Sequence, residues 1–150
     1  MSLDEKIQLD LIKAMKSKDR LRLAVLRMVK TALKNKEIET RSSLEDKAVQ
    51  AVLSTLVKQR RDSAEQFRQG GREELARKEE REIIVITEYL PRAATDEEIQ
   101  SAVSAAIGET KAESMKEMGA VMRAAMVHLS GTTVDGAKVS KLAREALAGS

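Results

Sequence analysis

Hydrophobic residues recur at intervals of three and four along almost the whole chain, which is the period of an amphipathic helix. Only the run IIVI at positions 83–86 is compatible with a strand, and it continues an unbroken charged helical pattern. The pattern therefore predicts an all-α fold. We expect helices over about 3–17, 20–37, 43–69, 72–89, 96–109, 115–129 and 136–147.

Capping residues set several of these boundaries. Asp19 has the side chain and position of an N-cap for the second helix. Capping boxes, in which a Ser or Thr oxygen and a Glu three residues later satisfy each other's backbone amides, are predicted at 42–45, 95–98 and 114–117. The glycine pair at 70–71 ends the third helix, since glycine accepts the left-handed conformation of helix termini.

Pro91, the one proline of the chain, divides the helices into two groups. It lacks a backbone donor and restricts Leu90, so a helix is expected to end here. Four helices precede this point and three follow it. We expect an N-terminal helical domain over 1–92 and a small three-helix domain over 93–150.

Composition excludes several kinds of chemistry. Without cysteine the 150-residue chain has no disulfide, thiolate zinc site or thiol nucleophile. No apolar run is long enough to span a bilayer, and the start of the sequence is too polar for a secretory signal. We therefore expect a cytoplasmic protein without a membrane partner. The net charge of +3 arises in the first part of the chain.

Catalytic motifs are also lacking from the sequence. It contains no Walker or Rossmann phosphate loop, no GxSxG elbow and no Gly/Ser-rich amidase segment. His128 is the only histidine and lies near a predicted helix end, where it is expected to interact with helix carbonyls. We predict no catalytic residue, no metal site and no cofactor.

A methionine stripe surrounds a glycine in the sixth predicted helix. Met115, Met118, Met122 and Met126 fall within about 60° of arc, with Gly119 at the edge of the stripe. A glycine inside a helix costs about 1 kcal/mol relative to alanine. Two interpretations are open: a neighbouring helix packs closely here, or the methionines form an adaptable groove for a partner helix.

Two helices carry basic stripes. In the second helix the cations within about 80° of arc are Arg20, Arg27, Lys30 and Lys34. In the last helix Lys138, Lys141 and Arg144 fall within about 120° of arc, and the other cations of the tail are Lys111, Lys116 and Arg123. Such stripes either follow the phosphates of a nucleic acid or are ordinary solvated faces.

Several segments resemble known proteins. YLP at 89–91, TDEEI at 95–99 and KEMGAVM at 116–122 resemble the tail domain of the B subunit of the glutamine-dependent tRNA amidotransferase. The first half, with KQRRDSAEQFRQGGR at 58–72, resembles the free-standing YqeY proteins, so nearly the whole chain is similar to the GatB/YqeY family. One position departs from the family: Ala120 follows the motif glycine, where a basic residue is usual.

The resemblance implies an all-α fold, with four N-terminal helices and a three-helix tail of the kind that contacts tRNA in the amidotransferase. It also implies a family label, carbon–nitrogen ligase with glutamine as amido-N-donor. In the amidotransferase that chemistry belongs to other domains, so for a protein with only the tail and an N-terminal bundle the label describes an association. The leading hypothesis is a non-catalytic protein that binds tRNA, or the amidotransferase or another translation-related protein. The alternative is a protein-interaction adaptor that docks through its methionine face without RNA. A third hypothesis is direct participation in glutamine-dependent amidation.

Overall fold

The computed structural model describes residues 1–149. Over these residues the fold is all-α, as predicted, and contains no β-strand. The helices are α1 (Leu3–Ser17), α2 (Arg20–Thr40), α3 (Asp46–Gln69), α4 (Glu73–Thr87), α5 (Asp96–Thr110), α6 (Met118–His128) and α7 (Gly136–Ala148). A 3₁₀ turn, Met115–Glu117, directly precedes α6. None of the described helices combines the length and apolar character needed to cross a bilayer.

The chain divides into two compact units, Met1–Leu90 and Pro91–Ser150. The first unit contains α1 to α4, and α3 packs extensively against α4. Its core is built from branched aliphatic side chains, with Leu26, Leu53 and Ile86 completely buried. The division lies close to the predicted boundary between domains 1–92 and 93–150. That each unit folds as an independent domain stays a prediction.

The second unit contains α5 to α7 around a core of small residues. Ala106, Ala125 and Ala143 are fully buried beside Val121 and Val139. Small side chains allow the three short helices to approach closely. The segment after Pro91 is tied to the turn before α7, since the amide of Thr133 donates to the Arg92 carbonyl at 2.8 Å.

The predicted caps give mixed results. Asp19 is the N-cap of α2, and its Oδ1 accepts from the Arg22 amide at 3.1 Å. The capping boxes of Thr95 with Glu98 and of Ser114 with Glu117 are both present. The second box heads the 3₁₀ turn, so the single helix predicted over 115–129 begins as a 3₁₀ turn and continues as α6.

The capping box predicted at 42–45 is wrong. α2 continues to Thr40, and the Ser42 amide donates to the Glu37 carbonyl at 3.3 Å, so Ser42 still belongs to the end of α2. α3 starts later, with Glu45 at its N-cap position and no side-chain cap. The backbone needs a left-handed residue, Arg41 with φ +56°, to leave α2.

Candidate nucleic-acid interface

Three cations of the predicted α2 stripe lie on its exposed side without an acidic partner. Arg20, Arg27 and Lys34 are exposed, and none of them forms an ion pair among residues 1–149. They follow one another at intervals of seven residues, which places successive residues about 10 Å apart along the helix axis. We call these three residues the α2 basic row.

The fourth residue of the predicted stripe is engaged within the unit. Lys30 is half-buried, and its Nζ lies 3.0 Å from Oδ1 of Asp4 in α1. A lysine that holds a carboxylate of its own protein offers little net charge to a phosphate. Lys30 therefore belongs to the α1–α2 contact, and the structure separates it from the α2 basic row.

Arg22 shows the same division within α2. Its two terminal nitrogens each donate to one Glu88 oxygen at 2.8 Å, a bidentate ion pair between α2 and the end of α4. The hydrogen bond from Arg22 lowers the pKa of the Glu88 carboxyl. Arg22 thus positions the last turn of α4 beside α2.

The two ends of the α2 basic row differ in their electrostatic surroundings. Lys34 lines a cleft of about 340 Å³ together with Lys30, Asp4 and Glu37. These carboxylates reduce the positive potential near Lys34. The end formed by Arg20 and Arg27 is therefore the more favourable part of the row for an anion.

The second unit has unpaired cations on separate elements. Within the described part of the chain, the exposed tail cations without an ion pair are Lys111, Lys116, Arg123, Lys141 and Arg144. Lys138 is paired with Asp96 at 3.2 Å, and Nη2 of Arg144 donates to the Ser140 hydroxyl at 2.9 Å. The structure thus leaves five of the six predicted tail cations without an acidic partner, and Arg144 among them is hydrogen-bonded to a neutral hydroxyl.

The predicted helix-packing set divides in the structure. Met118 and Met122 pack against the core of the second unit, whereas Met115 and Met126 are exposed. Gly119 is also exposed, and a Cβ at this position would meet only Nη1 of Arg123, at an ordinary contact distance of 3.5 Å. Close approach of a neighbouring helix does not explain the glycine.

His128 has a different partner from the one predicted. Its Nε2 lies 2.6 Å from Oε1 of Glu109, across from the last turn of α5. The sequence shows where His128 lies in its own helix, and helix carbonyls were therefore the expected partners. It does not show which helix faces His128, so Glu109 could not be predicted.

Sequence reasoning missed a polar cluster inside the first unit. Arg60 and Glu82 are only 13% and 18% exposed, and Nε of Arg60 donates to Oε2 of Glu82 at 3.2 Å. The sulfur of Met28 also accepts from this guanidinium. The sequence signal was an arginine among the apolar positions of α3, which predicts a buried partner.

A second cleft, also of about 340 Å³, opens between α3 and α4. It is lined by side chains of both signs: Arg61, Ala64, Glu65, Arg68, Glu80 and Ile83. Arg68 is paired with Glu80 and Glu73 across it. Because each side of the cleft neutralises the other, it is less suited to a polyanion than the α2 basic row.

The described residues hold no cluster of three or more His, Cys, Asp or Glu side chains with the spacing of a metal site. The buried side chains are all apolar or tyrosine, and no buried side-chain polar atom of residues 1–149 lacks a hydrogen-bond partner.

Comparison with known proteins finds relatives in fungi. The chain is 39% identical to the Lachancea thermotolerans protein named "Altered inheritance of mitochondria protein 41, mitochondrial" over 105 residues, 68% of this chain and 56% of that protein. The Clavispora lusitaniae protein of the same name is 33% identical over 120 residues, 78% of this chain and 70% of that protein. The Pyrenophora tritici-repentis protein is 30% identical over 142 residues, 93% and 78% of the two chains. The match thus spans little more than half of the length of the Lachancea protein.

The expectation of a cytoplasmic protein is contradicted by these relatives, which are named as mitochondrial proteins. The expectation relied on the lack of an apolar membrane span and of a secretory signal. Neither feature is needed for a protein to reside in an organelle, so their absence did not justify the prediction.

The family assignment rests on a match that covers most of both units. The sequence pattern that defines the "Yqey-like protein" family matches residues 4–147, from the first turn of α1 to the last turn of α7. It includes the α2 basic row, the Tyr89–Pro91 junction and all the tail cations. The chain belongs to the family of Yqey-like proteins.

Proposed function

We propose that this chain binds folded RNA of the tRNA class through the phosphate backbone, with the α2 basic row as one contact surface. The observation that carries the proposal is the row itself: Arg20, Arg27 and Lys34 are exposed and unpaired while neighbouring cations hold carboxylates. Unpaired cations in line release counterions when they contact phosphates, which is the main source of non-specific nucleic-acid affinity.

The aromatic residues favour recognition of a folded backbone over recognition of single-stranded bases. The chain has two aromatic residues, Phe67 and Tyr89, and Tyr89 is buried in the core of the first unit. Single-strand binding proteins stack bases on exposed aromatic rings. Tyr89 offers no such platform, and Phe67 is a single, partly buried ring, so recognition of the RNA fold and its phosphates is the expected mode.

Two further observations support the proposal. The second unit adds five cations without an ion pair, and its sequence resembles the amidotransferase tail that contacts tRNA. In this proposal the chain is non-catalytic, and the family's carbon–nitrogen ligase label describes association with amidotransferase chemistry on other proteins. The translation machinery is accordingly the expected setting of its partners.

The test is fluorescence anisotropy of labelled total tRNA titrated with the full chain at several salt concentrations, with duplex DNA as a comparison. Wild type is compared with a triple variant, Arg20→Gln, Arg27→Gln and Lys34→Gln. Loss of three phosphate contacts reduces the slope of log K against log salt by about 2 to 3. The matched control changes three exposed, unpaired lysines elsewhere in the first unit: Lys47→Gln, Lys58→Gln and Lys78→Gln.

Equal losses in the two triple variants would mean that net charge alone drives binding, and the assigned surface would be wrong. Equal affinity of wild type for tRNA and duplex DNA would remove the preference for folded RNA. A second triple variant, Lys116→Gln, Arg123→Gln and Lys141→Gln, measures the contribution of the second unit in the same assay.

A second candidate function has one observation in its favour. Val127 is 72% exposed and follows the exposed Met126, so the second unit presents an apolar spot that a protein adaptor would use. Met118 and Met122 do not contribute to it, because they pack inward. Absence of tRNA binding, together with loss of a protein partner on Val127→Ser, is the result that would favour this adaptor.

A further inference from the structure

Helix α1 has an apolar face that the first unit leaves uncovered. It buries Ile7 and Ala14 in the unit. Leu9 and Ile12 lie on the other side and remain 44% and 37% exposed. Because residues three apart are neighbours on a helix, Leu9 and Ile12 form one small apolar patch rather than two isolated positions.

A charged residue lies at each end of this face. Glu5, Leu9, Ile12 and Lys16 recur at intervals of four, three and four, and fall within about 60° of arc. This is the spacing of core positions in a two-helix coiled coil. We call these four residues the α1 seam. Glu5 and Lys16 are exposed, and neither forms an ion pair within the described chain.

We infer that the α1 seam pairs in antiparallel orientation with the same seam of a second copy of this chain. In that orientation Glu5 faces Lys16 of the other copy, and Leu9 faces Ile12. Twofold symmetry repeats each contact, which gives two ion pairs and two apolar contacts. The sequence of the seam is self-complementary.

Other occupants leave part of the seam unsatisfied. A parallel pair would place Glu5 against Glu5 and Lys16 against Lys16, which is repulsive. A lipid surface or an acidic helix would attract Lys16 and the exposed Lys13 beside the seam, but would repel Glu5 or leave it unpaired. A surface with the reverse order of charges satisfies both Glu5 and Lys16, and a second copy supplies that order.

The interface is small, so the expected association is weak. α1 has 15 residues, and one face of a helix of about 22 Å buries less than the roughly 1,200 Å² of a stable complex. The population of dimer is therefore expected to depend on concentration across the micromolar to millimolar range, and to fall at high salt.

The test is sedimentation velocity of the full chain over a concentration series, with charge reversals at the two ends of the seam. Glu5→Lys alone and Lys16→Glu alone each replace two attractive pairs by two repulsive pairs, and each is expected to weaken the dimer by about tenfold or more. The double variant restores both pairs and is expected to restore the dimer. An equimolar mixture of the two single variants is also expected to associate, because each supplies what the other lacks.

The matched control is Glu97→Lys, which makes the same charge change in the first turn of α5, away from the seam. Circular dichroism verifies that each variant is folded, and Glu5→Gln is a milder second variant that keeps the size of the side chain. Three results would overturn the inference: a wild type that stays monomeric at the highest concentration, a dimer that Glu5→Lys and Lys16→Glu leave unchanged, or a double variant that stays as weak as the single variants.

Discussion

Replacing Gly119 by alanine is expected to stabilise the second unit. Gly119 is the second residue of α6, it is exposed, and a Cβ there would meet only Nη1 of Arg123 at 3.5 Å. Alanine in an unstrained helical position reduces the conformational entropy of the unfolded chain, at a gain of up to about 1 kcal/mol. Because the residue lies in the first turn, we expect about 0.5 kcal/mol, a rise of roughly 2–4 °C in the unfolding midpoint of a unit of this size.

Substitutions at two other glycines serve as controls for this prediction. Gly108 is helical in α5, and a Cβ added to it would have no neighbouring atom within 4 Å, so Gly108→Ala is expected to stabilise as well. Gly131 has φ +86°, where a side chain is strained, so Gly131→Ala is expected to cost about 1 kcal/mol or more. We therefore expect the unfolding midpoint to rise in Gly119→Ala and Gly108→Ala and to fall in Gly131→Ala.

The assay follows thermal unfolding of the full chain with two probes. Far-ultraviolet circular dichroism reports both units, whereas tyrosine fluorescence reports the first unit, since Tyr89 is the only tyrosine and precedes Pro91. A change in the circular dichroism transition without a change in the tyrosine transition is assigned to the second unit. A lower unfolding midpoint for Gly119→Ala, together with the expected higher midpoint for Gly108→Ala, would refute the reasoning. It would favour the interpretation that a neighbouring helix packs closely at Gly119.

The remaining predictions concern two hydrogen bonds and one carboxylate. Tyr89→Phe removes the hydroxyl that donates to Oδ2 of Asp10 at 2.5 Å and leaves this half-buried carboxylate without that partner. Urea unfolding should therefore show that the free energy of unfolding of the first unit falls by about 1–2 kcal/mol. An unchanged free energy of unfolding would contradict this. Thr95→Ala removes the N-cap of α5 and should cost about 1 kcal/mol in the same measurement. Hydrogen bonds from Arg92 and from the Thr95 backbone lower the pKa of Glu98 to about 2. Because the folded pKa lies below the unfolded one, its stabilisation is complete above pH about 4.3 and is lost toward pH about 2. The difference in unfolding midpoint between wild type and Glu98→Gln should therefore shrink over that range, and a constant difference would show that ionisation is not its source.

Much of the fold was predictable because its signals are local. The helical period extends along each segment, and a cap acts within three residues, as Asp19 and Thr95 show. The start of α3 was not predictable in this way. Ser42 has the side chain of a cap, but the end of α2 already uses its amide, so a second local signal overrode the first.

The candidate site was only partly predictable, because a helical wheel gives the direction of a side chain and not its partner. Lys30 points the same way as Lys34, yet it is held by Asp4, which lies 26 residues earlier in the sequence. Such pairing is a property of the tertiary structure. In a chain with 34% charged residues, a charge is therefore informative chiefly when the fold leaves it without a partner. That criterion reduces the predicted α2 stripe to the α2 basic row. Glu5 and Lys16, which no sequence motif distinguished, also satisfy it, and their alignment with Leu9 and Ile12 separates them from scattered unpaired charges such as Lys47. The two proposals depend on the same physical argument, and the charge-reversal and neutralisation variants test it at two separate surfaces.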